Sequence, residues 1–459
     1  MNKIGTTVAA ISTPPGKGGV ALIRVSGPEA IEIVSRCVVL RSGKPLCSLP
    51  ARQAAYGDVI FEGAPIDDVI VTLFRAPHSY TGEDTAEISC HGGILLTKTV
   101  LTALLAAGAE QAGPGEFTRR ALLSGRLSLT EAEAIGCLLE AGSTAQIRLS
   151  AAPARTELAR ALGELHDRLL SLLSTLYAKI DYPDEDLADL TDEEIIGHLT
   201  AIFDRMQMLR KTYRTGHAIN EGIPTVLCGR PNVGKSSLYN RLAGEELAIV
   251  TELAGTTRDV LSTTLPLGSV MLRLFDTAGL REASDPVEQI GVSRSRARIE
   301  ECELLLAVLD ASQPLSDEDR AWLEELKGYG KPVILLLNKS DLPRAIQPDA
   351  LSTFPHVLPV SAATGEGLDT LTALVEQLFT DETLRVGEEA ILSSARQYAA
   401  LSRAQEHLAT SLSAFSAGLP ADAAASDLEL ALGAMAELDG RAVNEEIIAD
   451  IFKRFCVGK

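Results

Sequence analysis

An eight-residue glycine-rich segment constrains the fold of this chain more than any other feature. Residues 229–236 read GRPNVGKS and directly follow an apolar run at residues 224–228. The two glycines let the backbone curl so that its N–H groups face phosphate oxygens. Lys235 brings positive charge to the terminal phosphates, and the Ser236 hydroxyl can bind Mg²⁺. A strand that runs through such a loop into a helix predicts an α/β domain with a parallel sheet.

Two downstream motifs fit the magnesium and γ-phosphate side of the same site. Thr257 lies in a Gly-Thr-Thr segment that begins at Gly255, where a mobile first switch is expected, and it offers a second hydroxyl to Mg²⁺. Asp276 follows the apolar run at residues 270–275 and can hold Mg²⁺ through water. The N–H of Gly279 can bond the γ-phosphate. Each motif alone is weak evidence, and their order after the phosphate loop gives them weight.

Two later motifs identify the base. Residues 338–341 read NKSD after the apolar run at residues 333–337. The Asp341 carboxylate can accept hydrogens from both N1 and the 2-amino group of guanine. Adenine would leave that charge unpaired, and sites of this kind discriminate by about 10⁴–10⁵. The backbone N–H groups at Ser361, Ala362 and Ala363 can meet guanine O6. The sequence therefore predicts a guanine-nucleotide switch.

These motifs together predict the residues that contact GTP. They are Asn232, Val233, Gly234, Lys235, Ser236, Ser237, Thr251, Glu252, Leu253, Ala254, Gly255, Thr256, Thr257, Asp276, Thr277, Ala278, Gly279, Asn338, Lys339, Asp341, Ser361, Ala362 and Ala363. Where Ras-like switches carry a Gln that orients water, this chain has Leu280. Either hydrolysis is slow or another group acts, and Glu288 is the nearest candidate downstream. Taken alone, Glu288 reads more readily as a solvated helix residue.

Composition and length bound the remaining possibilities. The chain has 459 residues, enough for about three domains. Its net charge of −20 argues against wide non-specific binding to nucleic acid, although a local basic patch remains compatible. Seven cysteines without a Cys-x-x-Cys pair indicate reduced thiols. No apolar stretch approaches the roughly 18 residues of a membrane span and no signal peptide is recognisable, which predicts a cytoplasmic protein.

The pattern of apolar residues divides the chain into four segments. Residues 1–120 mix strand and helix patterns, with strands expected at 7–11, 20–25 and 69–74 and a helix at 94–107. Residues 121–217 carry leucines at helical spacing, and residues 381–459 are again helical and rich in alanine. Between them, residues 218–380 alternate short strands with helices. The predicted fold is multidomain α/β plus α: an N-terminal α/β domain, a discontinuous helical domain and an inserted Ras-like P-loop G domain.

Several short motifs outside the G domain carry a family resemblance. They are PPGKGG at residues 14–19, YTGED at 80–84, HGG at 91–93, PGEF at 114–117 and CVGK at 456–459. With the interrupted helical domain and the inserted G domain, the chain resembles the tRNA modification GTPases of the MnmE (TrmE) family over essentially its full length. No single N-terminal motif is decisive, and the combination is highly specific.

The resemblance implies an activity and a set of partners. The family hydrolyses GTP and, with the flavoprotein MnmG (GidA), installs an aminomethyl or carboxymethylaminomethyl group on C5 of the wobble uridine (U34) of certain tRNAs. The one-carbon unit comes from a methylene-tetrahydrofolate, and a 5-formyl derivative fits the same site. The resemblance also implies a homodimer formed through the N-terminal domains, which joins MnmG in a heterotetramer. Pairing of the G domains with GTP, Mg²⁺ and K⁺ bound would switch on hydrolysis.

The resemblance also transfers roles to individual residues. Asn232, Thr251, Leu253 and Thr256 match the K⁺ ligands, Ser236 and Thr257 the Mg²⁺ ligands, and Glu288 the acid that orients water. The folate-binding positions correspond to Arg24, Glu87, Arg126 and Lys459, where some relatives have Lys in place of Arg126. Arg and Lys suit the carboxylates of a folate tail. Cys456 takes part in the chemistry or shapes the tail.

Two other functions share part of this pattern. A GTPase that assists ribosome assembly by binding rRNA would carry the same G-domain motifs but usually adds a basic RNA-binding module. A folate-binding regulatory protein would need no role in RNA chemistry. The charge of −20 and the folate-like N-terminal motifs argue against the first.

Overall fold

The chain divides into two units, and a computed structural model describes residues 5–181, 191–244, 262–275, 299–441, 451–453 and 455–458. The first unit combines Met1–Gly136 with Gly433–Lys459, and the second is Cys137–Leu432. The first unit is therefore built from both ends of the sequence.

A seven-stranded sheet forms the centre of the first unit. Its strands are β1 (Val8–Ile11), β2 (Val20–Ser26), β3 (Val38–Leu40), β4 (Ala54–Phe61), β5 (Ala64–Phe74), β6 (Thr85–His91) and β7 (Glu110–Gln111). They lie in the order β3-β4-β5-β6-β2-β1-β7, and all neighbours are antiparallel except β1 and β7. The three predicted strands are confirmed within one residue at either end, apart from β5, which begins at Ala64.

Two helices cover the inner face of this sheet. Helices α1 (Ala30–Cys37) and α2 (Ile94–Ala106) pack on a core of alternate strand residues that includes Ile23, Val71 and Ile88, all fully buried. The predicted end of α2 at Gly108 is confirmed, since that glycine has a φ of +117°.

The C-terminal end of the chain completes the first unit. Helices α3 (Glu116–Leu123) and α4 (Leu129–Glu140) follow the sheet. Ala132 and Ile135 of α4 form a small apolar core with Phe452 and Phe455 from the far end of the sequence. Gly115 allows this packing, because a Cβ there would stand 2.7 Å from the Phe452 ring.

Helices on both sides of the G-domain sequence form the helical part of the second unit. The described helices that precede it are α5 (Thr144–Ser150), α6 (Ala152–Asp181), α7 (Asp192–Lys211) and α8 (Tyr213–Asn220). The leucine spacing predicted α6, and its leucines at 158, 162, 165, 169, 172 and 176 are all buried. α7 begins at a capping box formed by Thr191 and Glu194.

A six-stranded sheet follows these helices in the sequence. Its strands are β8 (Ile223–Cys228), β9 (Ser262–Leu267), β10 (Val270–Phe275), β11 (Leu304–Asp310), β12 (Val333–Asn338) and β13 (His356–Pro359). The order is β13-β12-β11-β8-β10-β9, parallel except for the edge strand β9. Helices α9 (Lys235–Ala243), α10 (Asp317–Gly328) and α11 (Leu368–Phe379) connect or follow the strands. The order is that of a Ras-like domain and confirms the predicted parallel sheet.

Two long helices follow the sheet among the described residues. They are α12 (Ala395–Ser416) and α13 (Ala421–Asp439), and α12 packs along α7. The helical domain is thus discontinuous in sequence, as predicted. None of the described helices combines the length and the apolar character that a membrane crossing requires.

A charged cluster joins the helices to the sheet within the second unit. His217 of α8 contacts Glu221 through Nδ1 at 2.9 Å and Glu303, just before β11, through Nε2 at 3.5 Å. Burial alone would lower the pKa of His217, but these two carboxylates raise it to about 9. The imidazole is therefore a cation at neutral pH, and it fixes the start of β11 to α8.

Candidate nucleotide-binding site

The phosphate loop occupies the turn between β8 and α9. Gly229 has a φ of +147° and Gly234 a φ of +95°, and a Cβ at Gly234 would stand 2.2 Å from Nδ2 of Asn338. A Cβ at Gly229 would stand 2.4 Å from the Val308 carbonyl oxygen. Asn232 also adopts a positive φ, +66°. The loop therefore needs glycine at both predicted positions, for conformation and for space.

Lys235 closes over this loop. Its Nζ donates to the carbonyl oxygens of Gly229 and Arg230, each at 2.7 Å. Lys235 is also the first residue of α9, with Ser236 and Ser237 in the same turn. The N-terminus of a helix presents free N–H groups and a partial positive charge, which suits phosphate. Ser236, the predicted Mg²⁺ ligand, is the second residue of this helix.

Asn338 links the phosphate loop to the base loop. It is the last residue of β12 and only 2% exposed. Its Nδ2 donates to the Val233 carbonyl at 2.7 Å, and its Oδ1 accepts from the Ala362 N–H at 3.0 Å. The buried side-chain amide of Asn338 thus connects the phosphate loop to the base loop. Asn338 and Val233 are 105 residues apart in the sequence.

Asp341, the predicted guanine-reading acid, is held from one side. The buried Ser361 donates its hydroxyl to Oδ1 of Asp341 at 2.6 Å, and the same Oγ accepts from the Thr364 N–H at 3.1 Å. Asp341 itself is exposed. Its orientation is therefore set before any base is present, with the carboxylate directed by the loop that follows β13.

Lys339 is held by an ion pair within the sheet. Its Nζ lies 2.6 Å from Oδ2 of Asp310, at the end of β11, and its backbone φ is +65°. Burial would raise the pKa of Asp310, but bonds from Lys339 and Ser312 hold it below its usual value. The carboxylate stays ionised and fixes the stem of Lys339 along the base site.

Arg230 is an anchor that the sequence motif does not reveal, because it fills a variable position of the phosphate loop. Its guanidinium donates to the Ser316 hydroxyl at 2.7 Å and pairs with Glu318 at 2.9 Å. Both partners belong to the first turn of α10 and its cap. The phosphate loop is thus tied to a neighbouring helix as well as to Asn338.

The two switch segments of the site lie outside the described residues. This applies to Thr251, Glu252, Leu253, Ala254, Gly255, Thr256, Thr257, Asp276, Thr277, Ala278, Gly279, Leu280 and Glu288, and also to Lys459 of the second site. The structure does place the strands β9 and β10 that border them.

A second group of predicted residues meets in the first unit. Arg24 of β2 and Glu87 of β6 are direct register partners, and Nε and Nη2 of Arg24 donate to Oε1 of Glu87 at 3.0 and 2.8 Å. The Arg24 guanidinium lies 5.4 Å from the ring centroids of both Tyr80 and Phe117. Two of the predicted folate positions are thus in contact, beside two aromatic rings.

Arg126 lies close to the loop that carries Tyr80. A Cβ built on Gly82, which has a φ of +80°, would stand 3.4 Å from the Arg126 Cγ and 2.8 Å from the Ser124 hydroxyl. The Ser124 hydroxyl also donates to the Thr81 carbonyl at 2.7 Å. Arg126 is exposed, so its guanidinium is available at the surface of this loop.

A buried polar network supports the same loop and was not identified from the sequence. Glu83 accepts from Ser26 at 2.9 Å and from Nη1 of Arg120 at 2.8 Å, while Glu116 accepts from Nε of Arg120 at 3.1 Å. Nη2 of Arg120 is buried and has no hydrogen-bond partner among the described residues. Glu83 and Glu116 belong to the YTGED and PGEF motifs identified in the sequence. Arg120, which binds both carboxylates, lies outside those motifs.

The C-terminal tail lies against β1. Val457 forms an antiparallel bridge with Pro114, and the Gly458 carbonyl accepts from the Ser12 hydroxyl at 2.9 Å. Gly458 has a φ of +100°, and a Cβ there would stand 2.2 Å from the Ile11 carbonyl. Cys456 is exposed. β1 pairs with β2 through Ala10 and Arg24, so the tail and the Arg24–Glu87 pair belong to the same end of the sheet.

The sheet order, the phosphate loop and the base loop define the second unit as a P-loop GTPase. Two family models match the chain: the MnmE helical domain over residues 129–456 and the GTP-binding protein TrmE N-terminus over residues 7–126. The chain belongs to the tRNA modification GTPase family MnmE.

Relatives of this name match along the full length. The chain is 42% identical over 457 residues to the tRNA modification GTPase MnmE of Symbiobacterium thermophilum, with 99% of each chain covered. It is 41% identical over 463 residues to that of Moorella thermoacetica, again with 99% of each covered. With that of Thermotoga maritima it shares 38% over 458 residues, covering 99% of this chain and 100% of the relative.

Proposed function

We propose that this chain is the GTP-hydrolysing component of a complex that modifies C5 of the wobble uridine (U34) in tRNA. The observation that carries the proposal is the similarity, over 99% of the chain, to relatives named tRNA modification GTPases. Its partner would be the flavoprotein MnmG, which joins a homodimer of this chain in a heterotetramer in the cytoplasm. The group added would be aminomethyl or carboxymethylaminomethyl.

The described residues of the phosphate and base loops, with the predicted switch residues, support a role in GTP hydrolysis. Lys235 and the N–H groups of the loop would neutralise the phosphates, Ser236 and Thr257 would hold Mg²⁺, and Asp341 would bind the guanine edge. Water forms a bond to the γ-phosphorus as the bond to the β–γ bridging oxygen breaks. Leu280 stands where Ras-like GTPases have a glutamine that orients this water, and Glu288 would orient it instead.

Asn232 supports a role for K⁺ in the same site. Asn232 is a non-glycine residue of the phosphate loop with a positive φ, +66°, and its side-chain oxygen is a hard neutral donor. We propose that Asn232, with the carbonyl groups of Thr251, Leu253 and Thr256, would hold K⁺ beside the phosphates. The ion would supply the positive charge that an arginine finger gives in other GTPases.

The first unit fits a folate. Arg24 and Glu87 offer a cation and a carboxylate side by side, and the Arg24 guanidinium lies beside the Tyr80 and Phe117 rings, which suits a heterocycle with hydrogen-bond donors. Arg126 and Lys459 would meet the carboxylates of its tail. Nη2 of Arg120, on α3, is buried and has no hydrogen-bond partner among the described residues, although Nη1 of the same side chain donates to Glu83. When bound, methylene-tetrahydrofolate would supply the one-carbon unit.

The proposed function is tested on tRNA nucleosides. Mass spectrometry of bulk tRNA from a deletion strain should show loss of the C5-modified wobble uridines, and the intact gene should restore them. The variant Arg24→Ala should fail to restore them while keeping its GTPase rate, because Arg24 lies in the other unit from the phosphate loop. Unchanged modification in the deletion strain would overturn the proposal and would favour the ribosome-assembly reading.

The K⁺ assignment makes a separate prediction. GTP hydrolysis should be at least tenfold faster in K⁺ than in Na⁺, because Na⁺ is too small for the same ligand set. In Asn232→Ala the rate of GTP hydrolysis in K⁺ should fall to the rate in Na⁺. Steady-state phosphate release in matched chloride salts measures both, with Asn240→Ala on α9 as the control. Equal rates in the two salts would contradict a K⁺ ligand at Asn232.

A further inference from the structure

Arg241 makes contacts with the base loop that its position in the sequence does not suggest. It lies in the last turn of α9, the helix that begins at the phosphate loop. Its Nε donates to the Ala362 carbonyl at 3.3 Å, and its Nη2 donates to the Ala363 carbonyl. A Cβ built on Gly365 would stand 3.7 Å from the Arg241 Cζ, so the guanidinium also lies against the backbone there.

These bonds fix the orientation of two peptide groups. In a trans peptide the N–H points opposite to the C=O. Because the Ala363 carbonyl faces Arg241, the Thr364 N–H faces the other way, where it donates to Ser361 Oγ at 3.1 Å. That hydroxyl in turn donates to Asp341 at 2.6 Å. Arg241 is therefore connected through one peptide group and one hydroxyl to the guanine-reading carboxylate.

The neighbouring peptide presents a donor to the base. The Ala362 carbonyl faces Arg241, so the N–H of Ala363, on the same peptide, points away from it. The Ala362 N–H is taken by Asn338, whereas the Ala363 N–H has no hydrogen-bond partner in the part of the chain that the structure describes. The loop is thus held from both sides, by Asn338 and by Arg241, with one N–H left for a ligand acceptor.

We propose that Arg241 is a positioning residue for guanine recognition: it holds the peptide groups at residues 362–364 so that the base loop presents an N–H to guanine O6 and Ser361 to Asp341. Its role belongs to the GTP site that the fold and the family define, and it is independent of the proposals for K⁺ and folate.

The test compares GDP with 6-thio-GDP, in which sulfur, a weaker acceptor, replaces O6. Arg241→Ala should weaken GDP binding about tenfold, mainly through faster dissociation, because a charge-assisted pair of bonds is lost. The same variant should weaken the binding of 6-thio-GDP clearly less, since that analogue gains less from a bond to the Ala363 N–H. Arg241→Lys, which keeps the charge and one donor, should fall between wild type and Arg241→Ala.

The controls separate positioning from general damage. Arg320→Ala removes an exposed arginine from α10 and should leave both affinities unchanged. If Arg241→Ala does not fold, the same comparison is made with Arg241→Lys. That variant should lose less affinity for GDP than Arg241→Ala would, and its loss of affinity for 6-thio-GDP should be smaller still. Equal losses for GDP and 6-thio-GDP, or no loss for GDP, would overturn the proposal.

Discussion

Asp341→Asn is expected to exchange guanine specificity for xanthine specificity. The carboxylate accepts two hydrogens from guanine, whereas the amide accepts one and donates one, which matches the 2-oxo group of xanthine. Ser361 would still donate to the Oδ1 of the new side chain, as it does to Asp341 at 2.6 Å. GTP affinity should fall about a thousandfold, toward the discrimination of about 10⁴–10⁵ found when a site loses its hydrogen-bond match.

Titration calorimetry with GDP and XDP measures this exchange. The matched control is Asp349→Asn, which removes an exposed carboxylate from a nearby turn of the same unit and should change neither affinity. A variant Asp341→Asn that keeps its GDP affinity and gains none for XDP would show that another residue reads the base.

Gly234→Ala should weaken nucleotide binding strongly without unfolding the chain. The backbone at Gly234 has a φ of +95°, and the new Cβ would stand 2.2 Å from Nδ2 of Asn338. Left-handed strain of about 1–3 kcal/mol adds to the loss of the Asn338 bond to Val233. GTP affinity should therefore fall by at least about a hundredfold, which equals about 3 kcal/mol.

Gly328→Ala is the control for that change. Gly328 ends α10, where a Cβ would meet nothing within 4 Å. Alanine in a helix is favoured over glycine by up to about 1 kcal/mol, so this variant should bind normally and melt at the same or a higher temperature. Fluorescence titration with a labelled GDP and a thermal melt of each variant give both quantities. Normal binding by Gly234→Ala would mean that Asn338 can move without cost.

Local pattern was sufficient to predict the G-domain sheet and much of its site. Parallel strands that are buried on both faces are continuous apolar runs in the sequence, as β11 and β12 are, and β12 ends at the motif residue Asn338. The helical spacing of leucines predicted α6 in the same way. The phosphate loop and the base loop then meet because parallel strands share one carboxyl edge.

Contacts between distant segments could not be derived from the sequence. The resemblance gave Arg24 and Glu87 as ligand positions, but their pairing depends on the register of two antiparallel strands, 63 residues apart. Arg241 was not predicted at all, because its partner Ala362 lies 121 residues away and backbone carbonyls carry no sequence signal. The bond from Ser12 to Gly458 spans 446 residues. Local periodicity contains no information about such pairs.

The packing of Phe452 and Phe455 on Ala132 and Ile135 has a consequence for synthesis of the chain on the ribosome. The second unit is continuous in sequence, Cys137–Leu432, so all of its residues are synthesised before Phe452 is added. At about 5–20 residues per second, the interval between Ile135 and Phe452 is about 15 to 60 s. The GTPase unit can therefore fold first, while the first unit keeps an exposed apolar patch around Ile135 until translation is nearly finished.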